Sequence, residues 1–128
     1  MVAWAYYKAE AKGRGALALE LYVAQSTPAK APEDVKAALG DHLAYQATLE
    51  AAGKLAFAGP MSDETGEHMQ GVGMIVYRAE SLDAARALAD ADPMHQSGAR
   101  TFSLRRWMIN EGSLTLSVGL STKSVDMS

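Results

Sequence analysis

The feature that most narrows the fold is the order of two periodicities. Alternation at every second residue gives way to a helical stretch, then two alternating stretches, a second helical stretch and a further alternating one. Leu17, Leu19, Leu21 and Val23 point one way and Ala18, Glu20, Tyr22 and Ala24 the other, which predicts a strand over Leu17 to Ala24. Thr27, Pro28 and Pro32 predict a loop over Ser26 to Pro32, because proline fixes φ and lacks the backbone donor. Glu33 and Asp34 suit a helix N-terminus through the dipole, and Gly53 supplies a stop after Ala52. Lys54 to Ala58 reads as a short apolar strand ended by Gly59 and Pro60, and the polar run Ser62 to His68 as a turn. Gly71 to Arg78 is apolar on both faces, which places it centrally in a sheet. Ser81 and Asp83 open the second helix, and Pro93 ends it near Asp92. Thr101 to Asn110 is the last strand of the series.

Strand, helix, strand, strand, helix, strand is the split βαβ, or ferredoxin-like, order. It predicts an α+β fold, with two helices on one face of an antiparallel sheet, over residues 17–110 of a single domain. Residues 1–16 are an N-terminal extension with Trp4, Tyr6 and Tyr7, set apart by Gly13 and Gly15 and given no element. Residues 111–128 hold a C-terminal strand and tail, in which Leu114, Leu116, Val118 and Leu120 alternate with Thr115, Ser117 and Gly119. This fifth strand has no partner in the βαββαβ order, and helices on one side leave the other sheet face open. The expectation is therefore a homodimer or higher homo-oligomer.

With 128 residues, 48% hydrophobic and 21% charged, the chain can build one core that needs neither metal nor disulfide. It has no cysteine, which removes disulfides, thiolate zinc sites and cysteine nucleophiles and favours a reducing, cytoplasmic setting. Fifteen acidic against 12 basic residues, net charge -3, give no basic field to gather nucleic acid. No apolar run reaches the roughly 18 residues of a membrane span, and no basic start followed by an apolar run marks a signal peptide.

Few residues carry chemistry. On the first predicted helix, His42 and Gln46 fall in the inward stripe of Val35, Leu39 and Leu49. Histidine moves its proton most easily near neutral pH, although an inward histidine is also met bonded to a backbone carbonyl. His68 and His95 lack partners at zinc-like spacing, so no metal site is expected. Arg100, Arg105 and Arg106 are able to bind a carboxylate or phenolate bidentately, yet such a cluster more often forms a solvated strand face. Gly71 and Gly73 make no phosphate loop, since no Lys-Ser/Thr pair follows.

Several strings fall together in order: Asp41-His42-Leu43-Ala44-Tyr45, Ala58-Gly59-Pro60, Gly71-Val72-Gly73-Met74-Ile75-Val76, Ala79-Glu80-Ser81-Leu82-Asp83-Ala84-Ala85, Ala91-Asp92-Pro93 and Arg106-Trp107. From about Leu21 to Ile109 the chain resembles the YciI-like, or YCII-related, family. The resemblance implies a dimeric α+β barrel in which two sheets close face to face, similar to the muconolactone isomerase-like proteins. It also implies an active site built on His42 and Asp92. One branch of the family looks like a dehydrochlorinase of chlorinated hydroxyhydroquinones. The N-terminal extension and the strand after Asn110 lie outside the usual family length.

A carboxylate that accepts from one imidazole nitrogen fixes the tautomer and leaves the other nitrogen for substrate. The leading expectation is thus a cofactor-independent lyase or isomerase acting on a small aromatic or carbonyl compound, with His42 as acid/base and Asp92 orienting it. Ser81, Tyr45 and Gln46 are candidate substrate contacts, although Ser81 needs no ligand to explain it as an N-cap and Tyr45 is equally a core aromatic. The alternatives are a non-catalytic ligand-binding or accessory protein on the same barrel, and a purely structural assembly.

Overall fold

In the computed structural model, which describes residues 1–127, the chain runs α1 (Trp4–Gly13), β1 (Leu19–Pro28), α2 (Pro32–Ala51), β2 (Leu55–Ser62), β3 (Met69–Tyr77), α3 (Leu82–Asp90), α4 (Pro93–Gln96), β4 (Arg100–Ile109), β5 (Ser117–Val118) and β6 (Val125–Asp126). It forms two compact units, Glu20–Trp107 and Met1–Leu19 with the stretch from Met108 onward, each described by itself.

The main sheet has the order β2-β3-β1-β4, with β3 antiparallel to both β1 and β2. This is the ferredoxin-like α+β fold, and β3 is interior to the sheet, in keeping with its two apolar faces. Register places Tyr22 against Tyr77 and Ala24 against Ile75, and these four pack with Leu49 of α2 and Ala85 and Ala89 of α3. The alanines let α3 sit close to the sheet, so a larger side chain at either would overpack the core. Thus β1 turns Tyr22, Ala24 and Ser26 toward the helices, and its aliphatic residues Leu21 and Val23 take the opposite face by alternation.

Several boundaries differ from the sequence expectation, those of β1 and β2 most instructively. β1 starts at Leu19 rather than Leu17, because Ala18 has φ 52 and breaks the extended run. It then continues through Ser26 to Pro28, since Gln25 and Ser26 still pair with Met74 and Gly73, and only the missing N–H of proline stops the ladder. β2 runs on through Gly59 and Pro60 to Ser62, which proline permits because β2 is an edge strand.

α2 ends as expected at Gly53. The glycine, at φ 75, donates to Glu50 O, and Lys54 N donates to Leu49 O, a Schellman closure. The predicted inward stripe divides in two. Leu49 is buried in the core, whereas Val35, Leu39, His42 and Gln46 face a cavity. After α3, Pro93 stands at the first position of the short α4, and Asp92 is its N-cap.

In the second unit α1 is a helix of 10 residues, closed by Gly15 at φ 89 and by bonds from Gly15 N to Lys12 O and Ala16 N to Ala11 O. Leu17 N and Ala18 N donate to the carbonyl and side-chain oxygens of Asn110. The expected strand Leu114 to Leu120 is reduced to Ser117–Val118, and its partner is Val125–Asp126 of the same chain. A turn with Lys123 at φ 55 and a bond from Gly119 N to Ser124 O brings the two together, and that short return strand carries no alternation long enough to read. Among the described residues no helix is long and apolar enough to cross a membrane.

Candidate active site

A cavity of about 780 Å³ opens between the first half of α2 and the helix-covered face of the sheet, all within Glu20–Trp107. That size and a mainly apolar wall are usual for a small-molecule site. Val35, Leu39, Leu43, Met69, Val72 and Met94 supply the apolar wall, and His42, Gln46, Ser26, Lys30, Lys36 and Arg100 are among its polar groups.

His42 Nδ1 lies 2.8 Å from Asp92 Oδ2 and 2.9 Å from Oδ1. Because an ionised carboxylate only accepts, Nδ1 carries the proton and Nε2 of the neutral ring is left as the acceptor. Asp92 is 1% exposed and the His42 side chain 14%. The carboxylate is therefore shielded while the imidazole reaches the cavity. Local sequence explains how Asp92 is held. As N-cap of α4 it also accepts from Met94 N at 2.9 Å, and Pro93 fixes the corner.

The charge of Asp92 reaches its neighbours. Burial raises the Tyr45 phenol above its ordinary range, and Asp92 adds to the shift. The Tyr77 phenol is raised strongly by burial, then by Asp92 and Tyr45, and its hydroxyl is buried without a hydrogen-bond partner among the described residues.

A second polar group stands on the same cavity. Arg100 Nε donates to Ser26 Oγ at 2.9 Å, and Ser26 Oγ lies 2.9 Å from His95 Nε2. His95 Nδ1 donates to Ala89 O at 2.8 Å, so Nε2 of the neutral ring accepts from the serine. The His95 ring also packs against Phe102 at 4.6 Å between centroids.

Of the residues named from sequence, the structure brings His42, Asp92 and Gln46 to one place. Tyr45 and Ser81 are not among the cavity-lining residues. The Tyr45 hydroxyl donates to Leu88 O at 2.7 Å and its ring packs on the core, and Ser81 Oγ accepts from Ala84 N at 3.0 Å as the cap of α3. Arg105 and Arg106 are exposed, as a solvated strand face requires, but Arg100 departs from that reading and lines the cavity. Ser26 and His95 escaped notice because one was assigned to a loop and the other weighed only as a metal ligand. Parity could have found Arg100: it shares its side of β4 with Phe102 and Leu104, once the strand is started one residue earlier.

Fold, order of motifs and paired residues converge on one family. The chain belongs to the YCII-related domain family, whose profile matches residues 18–108. It is 31% identical over 70 residues to the uncharacterized protein YjpA of Bacillus subtilis (strain 168), covering 55% of this chain and 75% of that one. Among solved structures it is similar to the 5-chloro-2-hydroxyhydroquinone dehydrochlorinase TftG from Burkholderia phenoliruptrix AC1100, determined with 2,5-dihydroxybenzoquinone. There the TM-score is 0.49 and the identity 22%, over 68% of this chain and 92% of that one.

Proposed function

We propose that the protein is a small-molecule enzyme, a cofactor-independent lyase or isomerase that moves a proton with His42. The observation that carries this reading is the 2.8 Å contact between the cavity-facing imidazole and the buried carboxylate of Asp92. Nε2 takes a proton from an O–H or an activated C–H of the bound compound. The electron pair left behind either expels a leaving group as its anion or accepts the proton back at another position. While the proton rests on the ring, Asp92 stabilises the imidazolium, and such acid/base assistance is worth about 10²- to 10⁴-fold in rate.

The test is a turnover screen of phenols, lactones and chlorinated quinols with the wild-type chain and His42→Ala. Loss of at least 10²-fold in the variant is expected. Equal turnover by both removes His42 as the base, and tight binding with no turnover by the wild type favours an accessory binding protein instead.

The assembly proposed is a homodimer through the sheet face opposite the helices. Phe57 pairs in register with Val76 on that face, Trp107 alternates with Leu104, and both aromatic residues are exposed.

A further inference from the structure

The guanidinium of Arg100 is half-buried, and its hydrogen bonds are all to neutral acceptors: Nε to Ser26 Oγ, and Nη2 to Ser26 O and to Gly71 O. Among the described residues no carboxylate forms a salt bridge with it, and Nη1 has no partner. A charge withdrawn from water without a paired counter-charge is costly, so such groups are ordinarily found ion-paired. Burial accordingly lowers the Arg100 guanidinium from its ordinary value. The Asp92 charge, already committed to His42 and Met94 N, acts only through space in the opposite direction.

The arrangement is built rather than incidental. Ser26 is 3% exposed and is held by His95, which is in turn held by Ala89 O. Gly71 has φ +88, and a Cβ there would stand 2.8 Å from Pro28 Cγ, so only glycine can present that carbonyl to Arg100 at this corner. The fork of donors is thereby fixed in orientation. Among the described residues no aspartate or glutamate lines the cavity, although the chain as a whole is acidic at net charge -3. Of the other two cations on the wall, Lys30 gives its Nζ to Ser97 O at 2.8 Å, and Lys36 is exposed.

We infer that the cavity selects a small organic oxyanion, a carboxylate or phenolate on an apolar body, and that Arg100 is the residue that recognises it. The anion completes the missing ion pair while the apolar wall takes the body of the molecule. A planar guanidinium held by its Nε and Nη2 edge still offers Nη1 to one oxygen. This inference rests on the site proposed above for its location, but it concerns binding and not proton transfer.

The experiment is equilibrium binding of benzoate, benzamide and benzylamine to the full chain at neutral pH, by calorimetry. Benzoate is expected to bind at least tenfold more tightly than either neutral or cationic analogue. Arg100→Gln should bring benzoate and benzamide within twofold of each other, and Lys54→Gln, at an exposed lysine that does not line the cavity, should leave the preference intact. Because Arg100 ties two strands together, Arg100→Gln also risks misfolding. The wild-type chain therefore carries an independent reading: the Arg100 Nε–H resonance should shift on titration with benzoate and stay in place with benzamide. Equal affinity for benzamide, no binding of benzoate at millimolar concentrations, a preference that survives Arg100→Gln, or an unmoved Arg100 resonance each overturns the inference. Charge preference is read without turnover, so a failed catalytic screen alongside a retained preference removes the enzyme reading and leaves the anion site standing.

Discussion

Two of the three histidines of the Glu20–Trp107 unit, His42 and His95, both donate from Nδ1 but differ in the partner that receives it and in what becomes of Nε2. His42 donates from Nδ1 to a carboxylate, and its Nε2 has no partner among the described residues. His95 donates from Nδ1 to a backbone carbonyl, and its Nε2 is taken by Ser26. A carbonyl fixes a tautomer but offers no net charge to an imidazolium, whereas a carboxylate does both. What separates a reagent from a strut is therefore the partner and the unspent nitrogen, since both rings are half-buried.

The comparison breaks first at Asp92. In Asp92→Asn the side-chain oxygen still caps α4, but the amide can donate to His42 Nδ1 and drive the proton to Nε2, the wrong tautomer for a base. Turnover of whichever compound the screen identifies should fall about 10²-fold or more. Stability should change little, because asparagine is as good an N-cap as aspartate. Steady-state kinetics and urea denaturation on the same preparation check both halves. Turnover within tenfold of wild type would mean that Asp92 is only a cap, and that the two histidines differ less than their partners imply.

The reverse pattern is expected at His95. His95→Leu leaves Ala89 O and Ser26 Oγ each short of a partner in a partly buried setting, so unfolding should become easier by about 1–3 kcal/mol. The rate at saturating compound should stay within tenfold, while loosening of Ser26 beside Arg100 weakens binding. Denaturant midpoints set against rates make the distinction, and a variant that keeps its stability yet loses its rate would make His95 a second reagent.

How much of this was legible in the sequence follows from how local each signal is. Alternation and helical stripes gave the βαββαβ order, since period depends on neighbours along the chain, and Gly53 marked its helix end for the same reason. His42 could be placed in an inward stripe, but its meeting with Asp92 came from the order of family motifs, because nothing local joins residues 50 positions apart. Ser26 and Arg100 stand 74 apart and meet only through the sheet. Finding them required strand ends correct to one residue, and those are set by pairing, as Pro28 and Pro60 at strand positions make plain. The fifth strand failed for the opposite reason. Its alternation is real, but the turn through Lys123 spends only Ser117 and Val118 in the ladder.

The two serines give the smallest and sharpest form of the contrast between spent and unspent groups. Ser81 is named by the family string and Ser26 is not, yet Ser81 Oγ accepts from Ala84 N on an exposed helix start while Ser26 Oγ is buried on the cavity wall. Ser81→Ala removes one N-cap bond and should lower stability by about 1 kcal/mol. It should leave benzoate affinity and turnover unchanged, because α3 is packed by Ala85 and Ala89 and keeps its place without the cap. Thermal unfolding, calorimetry and the rate assay on this one variant decide the matter. A loss of affinity with unaltered unfolding would show that the serine touches the ligand, and the cap would then be the idle contact.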